Sequence, residues 1–266
     1  MKSRILSALL LLIVCVPMLI QGNYFFIALV LIVGLLSFKE LFDLRLNNKY
    51  IPWLIYALSF LATGFLILNN YTGKELTVVL DYRVLTFMLF TFLVPMVIIN
   101  DNEKYNLLDA LYLLGSVLFI GFSFNLMILI RNYSMEYFIY YVLIAVFTDI
   151  FALLGGKLIG RRKLAPKISP NKTKEGFIVG TLMGTIVGVV YYLTVIDPKF
   201  SLVNIIIVTF TLAVMGEIGD LVFSQMKRYY EKKDFSNVIP GHGGFLDVFD
   251  SLIFVIVTAI LFIGII

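Results

Sequence analysis

The chain has 266 residues, of which 61% are hydrophobic and 14% are charged, and its formal net charge is +4. A soluble domain of this length lacks the interior to bury so much apolar surface, so most of that surface must face lipid. The single cysteine excludes an intrachain disulfide and a cysteine-based metal site.

Nine apolar segments approach the length that a helix needs to cross a bilayer. They are continuous rather than alternating, which excludes a transmembrane β-barrel. Because lipid offers no partner for the backbone, the alternative to a closed barrel is a helix. The sequence therefore predicts an all-α polytopic membrane protein with about nine transmembrane helices. The predicted spans are roughly 5–20, 23–38, 52–68, 84–99, 107–130, 136–156, 177–196, 201–223 and 250–266.

Basic residues divide unequally between the two sides of this arrangement. Of the 21 lysines and arginines, 17 fall on the side of the N-terminus. The positive-inside rule therefore places the N-terminus in the cytoplasm and the C-terminus outside. The topology accounts for the basic residues, so we expect no nucleic-acid binding.

The two halves of the chain differ in polarity. Residues 1–148 contain apolar helices with short loops and predict an N-terminal transmembrane scaffold. Residues 149–266 predict a C-terminal catalytic transmembrane region with two polar cytoplasmic loops, 157–176 and 224–249. Two spans separate these loops, so both lie on one side of the membrane and can meet.

The first polar loop carries seven basic residues and one acid, Glu175. The positive-inside rule and acidic lipid headgroups explain the number of charges. They do not explain the segment 169–176, SPNKTKEG, which is typical of a shaped turn entering a helix. Asp149, at the predicted cytoplasmic end of its span, is a further candidate for a polar site.

The span 201–223 is apolar up to Met215 and then contains Glu217 and Asp220. Acids in a membrane helix are costly and are normally retained for a partner ion or a substrate. Helical spacing predicts that Asp220, Ser224 and Lys227 share one face. A structural ion pair of Asp220 with Lys227 or Arg228 is the alternative, and the residues by themselves leave both open.

Asp247 and Asp250 stand three positions apart at the start of the last predicted span. On a helix both project from one face, where their carboxylates can share a hard cation such as Mg²⁺. The alternative is that they simply favour the positive end of the helix dipole.

The segment Pro240–Gly244, PGHGG, precedes these aspartates. Its three glycines permit positive φ angles and a close approach to a ligand, as in an anion-binding turn. An ordinary tight turn is the alternative. His242 is the only histidine of the chain, and a structural hydrogen bond is its expected role.

These residues fall into a long, spaced pattern, and through it the chain resembles the phosphatidate cytidylyltransferases, or CDP-diacylglycerol synthases. The matching positions of 224–250 are Ser224, Lys227, Arg228, Lys233, Asp234, Ile239, Pro240, His242, Gly243, Gly244, Asp247 and Asp250. A second stretch matches at Asp149, Ala152, Gly156, Gly160, Ser169, Pro170, Lys172, Thr173, Glu175 and Gly176. The chain departs from the family's usual residues at Leu153, Lys174 and Val248, where the family has tyrosine, an aromatic residue and arginine.

The resemblance implies a reaction in which the phosphate of phosphatidate attacks the α-phosphate of CTP and releases pyrophosphate. It implies Mg²⁺, with a second cation as an option, a homodimer, and a multi-pass protein of a bacterial-type inner (plasma) membrane with its active site on the cytoplasmic face. The expected metal ligands are Asp220, Asp247 and Asp250. The expected catalytic residues are Lys227, Arg228, Ser224, Lys172 and Asp149. The expected substrate-binding residues are Ser169, Thr173, Glu175, Lys233, His242, Gly243 and Gly244.

Three other functions stay open at this point. A CTP-dependent polyprenol or lipid-alcohol kinase shares related motifs but transfers the terminal phosphate. A CDP-archaeol synthase differs in the lipid tails, which residues 149–250 do not reveal. An ion-coupled transporter also uses intramembrane acids, but its carboxylates are expected near the midplane and in two matching halves.

Overall fold

A computed structural model of the chain describes residues 13–46, 49–69, 71, 82–196 and 200–262. These residues form two compact units. The first consists of the described part of Met1–Tyr133 together with Phe235–Phe245, and the second of the described part of Ser134–Asp234 and Leu246–Ile266. The predicted boundary between residues 148 and 149 separates a scaffold from a catalytic region, which is a division by function rather than by compactness, and it stays a prediction.

The first unit is helical. Residues 13–21 are helical and are followed by α1 (Asn23–Leu46), α2 (Trp53–Ile67), α3 (Tyr82–Ile99) and α4 (Leu107–Tyr133). Helix α4 is the most enclosed of these, and its buried face contacts α1, α2 and α3.

Helix α1 runs eight residues beyond its predicted end at residue 38, to Leu46. The prediction ended the span where charge begins, at Lys39 and Glu40. The helix continues because its apolar side chains still have a core to enter: Phe38 and Leu41 are fully enclosed. The ring of Phe38 lies 5.1 Å from that of Phe60 on α2, edge to face. Tertiary packing, rather than local polarity, decides where this helix ends.

The basic residues after α1 have a partner at the start of α4. The buried carboxylate of Asp109 accepts a hydrogen bond from Arg45 Nε (3.1 Å) and also pairs with Lys49. Asp109 in addition accepts from the backbone N–H of Asn106 at 3.2 Å, within the first turn of α4. A buried carboxylate is tolerated here because it is paired and hydrogen-bonded.

The second unit contains four helices and a β-hairpin. It comprises α5 (Met135–Leu158), β1 (Lys163–Ala165), β2 (Ser169–Thr173), α6 (Lys174–Val195), α7 (Leu202–Tyr229), α8 (Leu246–Ala259) and a short 3₁₀ turn at Ile260–Phe262. Strands β1 and β2 are antiparallel, with Lys163 opposite Thr173. The expected turn in the first polar loop is thus a hairpin, and α6 follows it directly.

Helices α5 and α6 pack closely through small residues. A Cβ added at Gly180 on α6 would lie 2.7 Å from the Cβ of Ala152 and 2.7 Å from the carbonyl oxygen of Thr148, both on α5. A Cβ at Gly176 would lie 2.6 Å from the carbonyl oxygen of Ala152. Small residues let membrane helices approach this closely. The contact fixes the hairpin between α5 and α6 against the cytoplasmic end predicted for α5.

Six of the described helices, α1 and α3 to α7, are long and apolar enough to cross a membrane. Apart from the short hairpin, the prediction of an all-α polytopic membrane protein is confirmed. Helices α2 and α8 are shorter, with 15 and 14 residues. The predicted span 5–20 begins outside the described residues, as does the end of 250–266. The count of nine spans and the placement of the termini stay predictions.

Candidate active site

A cavity of about 580 Å³ opens within the second unit between α5, the hairpin, α6 and α7. Five of the predicted site residues line it. These are Asp149, Ser169, Lys172, Thr173 and Asp220. Glu217 lines it as well, although the sequence prediction did not include it. The motif stretch 149–176 therefore meets the acids of α7 in one cavity.

Lys172 is held between two carboxylates of α7. Its Nζ lies 2.9 Å from Glu217 Oε2 and 2.8 Å from Asp220 Oδ2. Burial opposes the ammonium charge, but the charges of Asp220 and Glu217 outweigh it and raise the pKa of Lys172 above its ordinary value. Lys172 therefore carries a permanent positive charge at the wall of the cavity.

The structure pairs Asp220 with a basic residue that the sequence analysis did not name as its partner. Its cationic partner is Lys172 on the hairpin, not Lys227 or Arg228 on its own helix. Ser224 Oγ donates to Asp220 Oδ1 at 3.3 Å, so the predicted helical face is present. Arg228 donates instead to the carbonyl oxygens of Ile168 (3.1 Å) and Lys232 (2.8 Å), where it ties the hairpin to the end of α7.

Lys227 and Asp247 form a buried ion pair between α7 and α8. Lys227 Nζ lies 2.6 Å from Asp247 Oδ1, and the two side chains are 9% and 6% exposed. Asp247 and Asp250 both belong to α8, in its first and second turns, as the spacing predicted. Asp247 is thus the second carboxylate of the expected metal set, after Asp220, that is paired with a lysine.

Asp250 lies 8% exposed beside the same group of acids. Its Oδ1 accepts the backbone N–H of Ser251 at 2.7 Å, and it interacts electrostatically with Asp220, Asp149 and Lys227. Ser251 Oγ donates to Asp149 Oδ1 at 3.1 Å and thereby connects α8 to α5.

The charges of this group favour a divalent cation. Five carboxylates surround two lysines, an excess of three negative charges when all are ionised. The acids are Asp149, Glu217, Asp220, Asp247 and Asp250, and the lysines are Lys172 and Lys227. Within the described ranges no three acidic, histidine or cysteine side chains converge as a ready-made metal centre. Mg²⁺ commonly takes one or two carboxylates and completes its shell with phosphate and water, so the donor set fits this ion.

Two predicted substrate-binding residues shape the hairpin. Thr173 Oγ1 accepts the N–H of Gly176 at 3.1 Å and caps the start of α6. Glu175 Oε2 accepts the N–H groups of Arg161 (3.0 Å) and Arg162 (3.1 Å). Both side chains therefore hold the backbone from which Lys172 projects. Lys233 lies exposed in the segment after α7.

The glycine turn lies in the first unit and has the expected backbone. Gly241 and Gly243 have φ angles of +82° and +97°, which favour glycine. The N–H groups of His242 and Gly243 both donate to the carbonyl oxygen of Ile239 at 3.0 Å. These two backbone N–H groups are therefore hydrogen-bonded within the turn, whereas the anion-binding interpretation expected such groups to bind a ligand. The side chain of His242 is exposed.

Glu40 on α1 anchors this turn, and the sequence prediction missed it. Its Oε1 accepts hydrogen bonds from Ser236 Oγ (2.7 Å) and from the N–H of Phe245 (2.8 Å). A Cβ at Gly244 would lie 2.3 Å from the same oxygen. The available signal was an acid following directly on an apolar segment, but the predicted end of the span placed it in a loop. For Glu217 the signal was its position one helical turn before Asp220.

Comparisons with known proteins cover nearly the whole chain. The family described as the Cytidylyltransferase family matches residues 2–266. A protein named phosphatidate cytidylyltransferase from Staphylococcus aureus (strain COL) is 34% identical over 259 residues, 96% of each chain. Proteins of the same name from Staphylococcus saprophyticus and Staphylococcus epidermidis are each 33% identical over 257 residues, again 96% of each chain. The resemblance found through the motifs is confirmed, and the chain belongs to the cytidylyltransferase family.

Proposed function

We propose that this protein transfers the cytidylyl group of CTP to phosphatidate, forming CDP-diacylglycerol and pyrophosphate. Its relationship over 96% of the chain to proteins named for that reaction carries the proposal. The cavity supports this proposal, because the ammonium group of Lys172 lies there beside several carboxylates, among helices long enough to cross a membrane.

The chemistry suits this set of side chains. A phosphate oxygen of phosphatidate attacks the α-phosphorus of CTP, and the bond from that phosphorus to the oxygen bridging the β-phosphate breaks. The substrate is itself the nucleophile, so no protein nucleophile is required. Transfer of this kind depends on positioning and on neutralising charge. Lys172, Lys227 and Arg228 neutralise phosphates, and Ser224 and Asp149 orient the groups around them.

Asp220, Asp247 and Asp250 are the residues that would hold Mg²⁺. When bound, this ion neutralises phosphate charge and stabilises the leaving pyrophosphate. The five carboxylates of the site outnumber its two lysines, and the resulting net negative charge favours the binding of such a cation. In the structure Lys172 and Lys227 neutralise Asp220 and Asp247.

The remaining predicted residues contribute to substrate binding. Ser169 lines the cavity, and Thr173 and Glu175 hold the hairpin in the shape that presents Lys172. Lys233, His242, Gly243 and Gly244 lie between α7 and α8, a segment of high polarity suited to nucleotide phosphates and the lipid headgroup.

The proposal includes a topology and an assembly. The protein crosses the inner membrane nine times with its N-terminus in the cytoplasm, which brings both polar loops to the face where CTP is available. The distribution of 17 basic residues on that side supports this orientation. We also propose a homodimer, on the strength of the family relationship.

Turnover with labelled CTP tests the function. Purified protein in detergent receives Mg²⁺, phosphatidate and CTP labelled in separate reactions on the α- or the γ-phosphate. The expected result is α-label in the lipid and γ-label in pyrophosphate. If phosphatidate stays unlabelled and a polyprenol acquires the γ-label, the protein is a lipid-alcohol kinase and the proposal is wrong.

A further inference from the structure

Glu217 is a carboxylate in the interior of the second unit, with a relative exposure of 0%. Its Oε2 lies 2.9 Å from Lys172 Nζ, and Lys172 also donates to the carbonyl oxygen of Glu217 at 3.4 Å. Among the described residues its other oxygen, Oε1, has no hydrogen-bond partner. An acid in such a place is costly unless a cation accompanies it, so Glu217 depends on Lys172.

The surroundings of Glu217 leave it little freedom to move. A Cβ at Gly180 on α6 would lie 2.7 Å from Oε1, so the carboxylate rests directly against the backbone of that helix. Asp220 is one helical turn further along α7 and is more exposed, with 27% of its side chain accessible against 1% for Glu217. Lys172 thus bridges one inner, fixed carboxylate and one outer, accessible carboxylate.

The two carboxylates have different opportunities to exchange their partner. Asp220 is the more accessible of the two and can give up Lys172 for a divalent cation, whereas only 1% of the Glu217 side chain is accessible. A cation on Asp220 repels the ammonium group of Lys172. With Glu217 behind it, Lys172 keeps an anionic partner and stays in the cavity wall. Without Glu217, Asp220 is the remaining acid in contact with Lys172, and the lysine competes with the cation for it.

We propose that Glu217 is a positioning residue that holds Lys172 when Asp220 exchanges this lysine for a divalent cation, so that Lys172 remains available to a substrate phosphate. The inference rests on the proposed function in assigning Asp220 to the metal. It adds a residue to the site and gives Lys172 two successive partners besides Glu217, namely Asp220 before the cation binds and a phosphate afterwards.

Binding of Mn²⁺, measured by the electron paramagnetic resonance signal of the free ion, tests this without turnover. Glu217→Gln keeps the size of the side chain but removes the charge that retains Lys172. We expect its Mn²⁺ affinity to fall about tenfold, the lower end of effects seen for residues that support metal ligands. In parallel, activity should fall at low Mg²⁺ and recover at high Mg²⁺, a rescue that a folding defect would not give.

Removing the lysine separates positioning from charge. In the Lys172→Gln background there is no ammonium group to compete for Asp220, so adding Glu217→Gln should change Mn²⁺ affinity less than twofold. A tenfold loss in both backgrounds would mean that Glu217 acts only through its charge, and the inference would be overturned. Unchanged affinity in Glu217→Gln would overturn it as well.

Glu136→Gln is the matched control, because Glu136 is an exposed glutamate of the same unit, at the start of α5. It should bind Mn²⁺ like the wild type. Should Glu217→Gln fail to fold, Glu217→Asp retains the charge and shortens the reach to Lys172, and it should also weaken Mn²⁺ binding. Failure of the wild type to bind Mn²⁺ overturns the inference. Mn²⁺ binding in the predicted pattern without any CDP-diacylglycerol overturns the proposed function alone.

Discussion

The side chains of Lys227 and Asp247 are both buried, so solvent stabilises neither charge well and each charge compensates the other. Removing one partner of a buried ion pair commonly costs about 3–5 kcal/mol, because the other charge is left without compensation. Replacing both by apolar residues is often neutral. The pair therefore allows stability and catalysis to be separated experimentally.

Asp247→Asn should lower the apparent melting temperature in detergent and abolish turnover. The combined variant Lys227→Met/Asp247→Leu should recover most of the melting temperature, since no unpaired charge remains, but it should stay inactive. Thermal unfolding and the labelled-CTP assay, run on the same preparations, measure the two effects. Activity in the combined variant would remove both residues from the proposed catalytic set.

Asp250 differs from Asp247 because its electrostatic neighbours include two acids, Asp220 and Asp149. Asp250→Asn relieves repulsion among these carboxylates, so we expect an unchanged or higher melting temperature. We also expect turnover to fall at least 100-fold, because the variant removes a proposed metal ligand. Near-normal turnover by the purified variant would exclude Asp250 from the metal site.

At the scale of elements, the glycine turn depends on α1. Glu40 contacts Ser236 and Phe245, which lie 196 and 205 positions further along the chain. Both hydrogen bonds are accepted by the same carboxylate oxygen of Glu40. The lack of a side chain at Gly244 makes room for that oxygen. The first unit therefore does more than provide lipid-facing helices, because one of its helices determines the path of a motif segment.

Gly244→Ala and Glu40→Ala should disturb the same contact. Each is expected to destabilise the protein by about 1–3 kcal/mol, the first by overpacking and the second by leaving the N–H of Phe245 without its acceptor. The double variant should lose less than the sum of the two, because truncated Glu40 no longer meets the added methyl group. Melting temperatures of all three measure this coupling.

Gly115→Ala is the matched control for the glycine substitution. Gly115 lies on α4, and a Cβ there would meet nothing within 4 Å. Alanine is the better helix former, so this variant should be neutral or slightly stabilising. Strictly additive losses in the Glu40 and Gly244 variants would show that the two residues do not share a contact.

At the scale of the whole molecule, the proposed orientation can be read out with cysteine labelling. Cys15 is the only cysteine, so Cys15→Ser provides a cysteine-free background. In this background the cysteine introduced by Lys167→Cys, in the first polar loop, should be protected from an impermeant maleimide in intact cells. The cysteine introduced by Lys74→Cys, at a position outside the described residues, should be labelled. The reverse pattern would invert the topology and place both polar loops outside.

Local patterns predicted much of the site. Helical periodicity placed Asp220 and Ser224 on one face, and the i, i+3 spacing of Asp247 and Asp250 on one helix was confirmed. Two of the three glycines of the turn, Gly241 and Gly243, adopt the positive φ angles that their sequence favours. These features depend on backbone geometry within a few residues, so a single sequence is enough to predict them.

Partners across the chain could not be predicted in the same way. Periodicity says nothing about which cation reaches Asp220, and the hairpin brought in Lys172 rather than a neighbour on α7. Lys172 and Glu217 are 45 residues apart, and their contact exists because α5 and α6 pack closely enough to hold β2 against α7. The end of α1 was misplaced for a similar reason, since burial of its last apolar residues outweighs the charge of Lys39 and Glu40.

The sequence by itself determined the membrane character, the family and the residues that supply charge, because composition, hydrophobic run length and motif spacing are properties of the chain alone. The tertiary structure decided how those charges pair: Lys172 with Glu217 and Asp220, Lys227 with Asp247, and Glu40 with the glycine turn. Pairing is a tertiary property because a buried charge must find its counter-charge wherever helix packing places one, and that place is independent of distance along the chain.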